Sequence, residues 1–298
     1  MQAWLDSDQV DEALLQIAAK AVLADAKGLP WLGKRLTPAL AAPAEKGNKG
    51  LTVLAMHVTL GFLERAKQSG MVYRGQYSDL AALQPFASNL LFQLLLETPD
   101  WYPHTERGRL VPAIRDLQPT RPDERRLEAV VDLVEDAERE PADLRYSLSC
   151  LLWQWGRREH LIVRIDELKR ESMEGDAADR VLAMRALAKL WYDVEDYAKA
   201  SQTHASLTKL AASSSVPLSP TDWYWAACCH AMRGDVDQGI AALAECAKMQ
   251  ASDAVDESHK LPRSLFERDP EIAKLRADVR FAGLLEIAFP KARAAKGP

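Results

Sequence analysis

Three turn positions, Gly156, Glu195 and Gly234, stand 39 residues apart in this chain. Each follows an apolar run of helical character: "LSCLLWQW", "LAKLWYDV" and "ACCHAMR". Each precedes a second amphipathic run: "RREHLIVRIDELKRE", "DYAKASQTHASLTKL" and "DVDQGIAALAECAKM". The unit is a helix, a turn and a second helix, used three times. A lone hairpin of this size cannot cover its own apolar face, so neighbours must stack on it. A two-helix unit repeated at a period of roughly 34 to 47 residues therefore predicts an α-solenoid.

The rest of the chain also predicts helix. Strand-like alternation of useful length is absent, and long runs are rich in Ala, Leu, Glu, Lys and Arg. "SDQVDEALLQIAAKAVLADA" opens on Ser7 as an N-cap and repeats apolar residues at Val10, Leu14, Ile17 and Ala21. Residues 28–50 hold three prolines and four glycines and predict a long loop, broken by a short helix around Lys34 to Leu36. "LTVLAMHVTLGFLERAKQSG" is the next helix, stopped by Gly70. In the following one, Pro85 kinks the run or opens a second helix, and Leu90, Leu91, Phe92, Leu94, Leu95 and Leu96 cover most of the circumference. Such a helix is central to a core or faces a partner. The Pro-rich stretch "DWYPHTERGRLVPAIRDLQPTRP" marks a joint. The expected organisation is an N-terminal helical region at 1–120, helical-hairpin repeats at 121–255, and a C-terminal cap and tail at 256–298.

Composition narrows the function classes. The chain has 298 residues, 48% of them hydrophobic, so a substantial core is expected. Its 38 basic and 43 acidic residues give a net charge of -5. That balance argues against broad electrostatic binding to nucleic acid. No apolar run is long enough for a membrane span, and the acidic "MQAWLDSDQVDEALL" differs from the basic start of a signal peptide. The expectation is a cytoplasmic chain without membrane or nucleic-acid partners. Four cysteines in this length do not make a disulfide framework.

The repeats at about 179–250 resemble the tetratricopeptide repeat (TPR) family. Trp191 followed by "DVEDYAKA" matches that family's aromatic, turn, acidic, aromatic and small positions. In the last unit Trp223 opens the helix, Ala227 is the small residue at the helix crossing, and "RGD" makes the turn. Gly239 and Cys246 take the small places of the second helix. The extra residues of the long period fall in "SSSVPLSP". The unit at 142–172 departs more, with Leu161 where a small residue is expected, and is more HEAT-like. "RDPEIAKLRADVRFAGLLEIA" is similar to the segment that closes such arrays in bacterial proteins. Asp269 and Asp278 would cap short helices there, and Ile272, Leu275, Phe281, Leu284 and Leu285 would pack on the last hairpin.

The resemblance implies a right-handed, all-α, TPR-like solenoid that binds a partner segment on the concave face of each first helix. Carried residue by residue, that face holds Arg185, Lys189 and Tyr192 in the middle unit, and Tyr224, Cys228 and Met232 in the last. Tyr146 and Trp153 follow from the first unit. Cations beside aromatics suit an extended protein or peptide segment with acidic groups.

The stretch "WYWAACCHAMRGD" is the one run with a chemical look. Adjacent Cys228 and Cys229 diverge by about 100° on a helix, so both cannot readily reach one metal ion. Cys229 and Cys246 read as small buried hydrophobes. No His-Glu-x-x-His pair, phosphate loop or triad signature is present. The sequence thus predicts a non-catalytic interaction module or adaptor with no cofactor and no metal. The alternatives are an assembly subunit that forms a homo-oligomer through its N-terminal helices, and an enzyme or sensor with a site in the N-terminal half.

Overall fold

The same backbone device ends a helix at each of the three turn positions. In the computed structural model Gly156, Glu195 and Gly234 all have left-handed backbones, with φ of 89°, 63° and 85°. The hydrogen bonds at the three turns also match. The turn residue donates three residues back, Gly156 to Trp153, Glu195 to Tyr192 and Gly234 to Ala231, at 3.1, 2.8 and 3.0 Å. The next residue donates five back, Arg157 to Leu152, Asp196 to Trp191 and Asp235 to His230, at 2.9, 2.9 and 2.9 Å. These paired bonds satisfy the carbonyls that a helix end leaves open.

The structure describes residues 12–24, scattered helical positions between 54 and 96, residues 107–108, 110–117, 121–214 and 216–290. Ser7, the 28–50 loop, Gly70, Pro85, Leu90, Leu94 and the last eight residues lie outside them. Among the described residues every regular element is helical. None of these helices is long and apolar enough to cross a membrane. The chain divides into two compact units, Met1–His160 and Leu161–Pro298.

The first unit contains α1 (Glu12–Ala24), α2 (Leu110–Leu117), α3 (Glu124–Glu135) and α4 (Ala142–Gln154). α3 starts at Asp123, whose carboxylate accepts the Arg126 N–H, and buries Leu127, Val130, Val131 and Val134 at helical spacing. α3 and α2 both pack on α4. Leu91, Phe92 and Leu95 are buried, and Phe92 stacks on Trp155 at 5.9 Å. That places these three residues in a core covered by their own chain. Arg107 is buried too. It donates to the Leu95 carbonyl at 3.1 and 2.6 Å and to the Glu140 carboxylate at 2.6 Å.

α5 (Glu159–Glu171) leads into the second unit, which continues with α6 (Ala177–Asp193), α7 (Tyr197–Ser214), α8 (Pro220–Arg233) and α9 (Val236–Gln250). α6 packs on α7, α7 on α8 and α8 on α9. α8 begins with a complete capping box between Ser219 and Asp222, with Pro220 in its first turn. The chain then forms α10 (Arg263–Arg268), a 3-10 turn at Pro270–Ile272, α11 (Ala273–Arg276) and α12 (Phe281–Ala288). Ile272, Leu275, Phe281 and Phe266 join one apolar cluster with Ala227, Cys228, Ile240, Leu243 and Cys246, and Leu284 and Leu285 lie at its margin. A Cβ on Gly239 would come within 2.7 Å of the Leu275 side chain. Small residues at that crossing therefore let the cap seat closely.

Two stability predictions follow from this unit and its turns. A Cβ at Gly156 would meet nothing within 4 Å. Gly156→Ala should therefore lose about 1–2 kcal/mol purely through its left-handed backbone, measured by urea unfolding. His204, buried on α7, has its pKa lowered by burial from 6.5 to about 4. Asp222 opposes that shift and His230 adds to it. Between those pH values the unfolded chain binds the proton and the fold does not, so stability falls as pH falls. Wild type should be about 2 kcal/mol less stable at pH 5 than at pH 7.5 through this residue. His204→Leu should flatten that slope.

Candidate functional site

The residues expected to line a binding face are mostly engaged by the chain itself. Arg185, on α6, forms a bidentate pair with Asp222 on α8, with contacts of 2.9, 3.1 and 2.8 Å. Its Nη2 also donates to the Pro217 carbonyl at 3.0 Å. Asp222 is the acidic partner of the α8 capping box, so one carboxylate starts α8 and ties it to α6. Lys189 pairs with Asp193 one turn on, and its ammonium sits 5.1 Å from the Trp225 ring centre. The two cations that sequence register places on one face are thus partnered within the fold.

Tyr192, Tyr224 and Cys228 do come together, beneath the cap. The Tyr224 hydroxyl donates to Asp269 Oδ2 at 2.8 Å. The Tyr192 hydroxyl donates to Glu271. Asp269 Oδ1 in turn accepts the Glu271 N–H at 2.9 Å, which fixes the 3-10 turn as the sequence expects of a capping aspartate. Rings surround these polar groups. Tyr192 lies 5.6 Å from Trp225 and 5.4 Å from Tyr197, and Tyr224 lies 5.3 Å from Phe266. Burial, with the neighbouring carboxylates and the Cys228 sulfur, pushes both phenols well up, so each is a hydrogen-bond donor at neutral pH.

Cys228 is 2% exposed, although the repeat register turns it toward an open groove. The cap fills the space in front of it. Its sulfur and one carboxylate oxygen each of Asp269 and Glu271 lie within 4.8 Å of one another. Burial first, then Glu271 and Asp269, hold the thiol far above its ordinary pKa. Cys229 and Cys246 are pushed up to about 12, chiefly by burial. All four cysteines are reduced and buried, so none combines the exposure and low pKa of a reactive thiol. Met232 is half-buried on α8. Tyr146 and Trp153 belong to the first unit, where Arg158 lies 5.1 Å from the Trp153 ring centre.

A different surface stays open. α5, α6 and their connection form a groove of about 550 Å³. Leu168, Leu182, Ala183 and Ala186 supply its apolar lining, and Glu171, Glu174 and Asp179 its carboxylates. Its one lining cation, Arg164, already pairs with Glu167 and Glu171 at 3.1 and 3.2 Å. Leu182 is 59% exposed, and Met173, in the connection, is 74% exposed. Sequence reasoning passed over this groove because its residues read as ordinary helix surface. Asp269 and Glu271 went unnoticed as neighbours of Cys228 because they come from a segment some forty residues further on. No protein-family model, no curated protein and no solved structure matches this chain.

The Arg185–Asp222 pair supplies a direct test of what the expected site residues do. Arg185→Ala strands a largely buried carboxylate and should cost about 1.5–3 kcal/mol in urea unfolding. A purely binding role would leave stability unchanged.

Proposed function

We propose that this chain is a non-catalytic protein-interaction module, a right-handed TPR-like stack of helical hairpins that docks a partner segment in the α5–α6 groove. The recurrent left-handed turns and the serial packing of α6 through α9 support the TPR-like reading. The observation that carries the functional reading is Leu182, left 59% exposed in a groove whose net charge is negative. Apolar surface in a lined depression is typical of a docking site.

Charge selects the partner. With Arg164 neutralised, Glu174 and Asp179 leave the groove acidic, so its occupant is an amphipathic segment with apolar anchors and Lys or Arg beside them. This departs from the acidic segment that the row of Arg185, Lys189 and Tyr192 suggests, because Arg185 and Tyr192 are engaged within the fold and the exposed Lys189 already pairs with Asp193. The assembly reading has less support, since Leu91, Phe92 and Leu95 are already buried within the chain.

Fluorescence polarisation with two labelled amphipathic helical peptides tests the proposal. One peptide carries Leu and Lys, and the other carries Leu and Glu at the same positions. The Lys peptide should bind at least about tenfold more tightly, a difference of about 1.4 kcal/mol. Leu182→Ser and the double variant Glu174→Lys/Asp179→Lys should each abolish that preference with little change in melting temperature, because all three side chains are exposed. Equal binding of both peptides, or unchanged binding by the variants, would sink it.

A further inference from the structure

We propose that Cys228, Asp269 and Glu271 form a binding site for a zinc-class divalent cation, which fastens the cap to α8. Among the described residues this is the one place where three such donors converge, with their ligating atoms within 4.8 Å of one another. Two elements far apart in the chain supply them: α8 gives the sulfur, and the turn at Pro270–Ile272 with its cap residue gives both carboxylates.

A dry polar network under the cap is the competing account, and the thiol speaks against it. Cys228 is 2% exposed, and among the described residues its thiol has no hydrogen-bond partner, although two carboxylates lie near it. By contrast, the buried Cys246 donates to the Pro220 carbonyl at 3.2 Å. An unsatisfied sulfur beside two oxygen acceptors is a donor set short of its cation. Among the described residues the Asp269 carboxylate has no ion pair, and Arg276 donates to its backbone carbonyl instead. Cation binding would answer both deficits at once.

The surrounding hydrogen bonds fit a metal site. Ligating carboxylates are ordinarily oriented by outer donors. Here Tyr224 and the Glu271 N–H hold the two oxygens of Asp269 at 2.8 and 2.9 Å, and Tyr192 holds Glu271. With one bond to each of its oxygens, Asp269 keeps lone pairs for a metal. Tetrahedral ligation with zinc–sulfur near 2.3 Å and zinc–oxygen near 2.0 Å puts ligand atoms about 3.5 Å apart. The three donors therefore need to close by about 1 Å, a side-chain adjustment. One thiolate with two carboxylates suits Zn²⁺ or Co²⁺ over Mg²⁺ or Ca²⁺, which take oxygen alone. Binding displaces the Cys228 proton to solvent, and water completes the coordination.

The test uses the full chain, stripped with chelator, then titrated with Co²⁺ and with Zn²⁺. The expected result is one ion per chain, a thiolate-to-cobalt charge-transfer band in the near ultraviolet, and a melting temperature raised by Zn²⁺. Cys228→Ser and Asp269→Asn, which keep shape and capping, should lose the band and weaken binding by at least about tenfold. Cys246→Ala should keep both. A stripped wild type that takes up no Co²⁺, or a band that survives in Cys228→Ser, would overturn the site. The wild-type spectrum decides the matter even where a variant fails to fold. The readout is independent of the α5–α6 groove, so either proposal can fail alone.

Discussion

A left-handed residue ends a helix at each of the three turn positions 39 residues apart. It delivers two bonds to otherwise open carbonyls, and at Glu195 and Gly234 the next helix packs back on the one before. Glycine adopts that backbone without penalty at Gly156 and Gly234. Glu195 does so against its own preference, and it is the sole described non-glycine residue with positive φ. That the same geometry recurs where the side chain opposes it means the packing of α6 on α7 outweighs a local cost of about 1–2 kcal/mol. The turn geometry is therefore common to all three positions, and residue identity only tunes it.

Once the hairpins are set, polar side chains fix how they stack. The Arg185–Asp222 pair is the clearest case. A fork of guanidinium nitrogens reaches from α6 to the residue that caps α8. Apolar faces alone tolerate sliding between helices, whereas a bidentate pair has one register. The same logic makes these side chains poor ligand contacts. A cation already held by a half-buried carboxylate would have to lose that partner before meeting another. Lys189, with Asp193 and the Trp225 face beside it, is in a similar position.

The spacing of Gly156, Glu195 and Gly234 made the three turns legible, because turn chemistry and helical periodicity are local properties of sequence. The helical content, the apolar roles of Ile272, Leu275 and Phe281, and the capping role of Asp269 were legible for the same reason. Where the cap would lie was not. Repeat register gives the direction of Cys228 from its helix axis, but it cannot say what stands in front of it. The answer comes from residues 269–272, whose path is set by Phe266 and Leu275 finding the apolar end of α8 and α9. The leucine-rich helix shows the same limit, since its all-round apolar pattern fits a core and a partner equally. Phe92 is buried against Trp155, a contact that the apolar pattern alone does not specify.

The cap itself carries a contradiction that polar chemistry resolves. The end of a helical stack is an apolar surface that must be closed, and Ile272, Leu275 and Phe281 are enough to close it. Yet the inner face of the cap also brings two carboxylates onto two tyrosines and a cysteine. Burying charge beside an apolar joint is costly unless it is paired or coordinated. The phenols meet part of that need by donating one hydrogen bond to each carboxylate. They supply no positive charge, and the thiol contributes none either while it keeps its proton. The sulfur and the two carboxylates thus meet at one point of that face, with the Arg276 guanidinium on the Asp269 backbone carbonyl beside them. A cation there would turn the weakest electrostatic feature of the cap into its fastening.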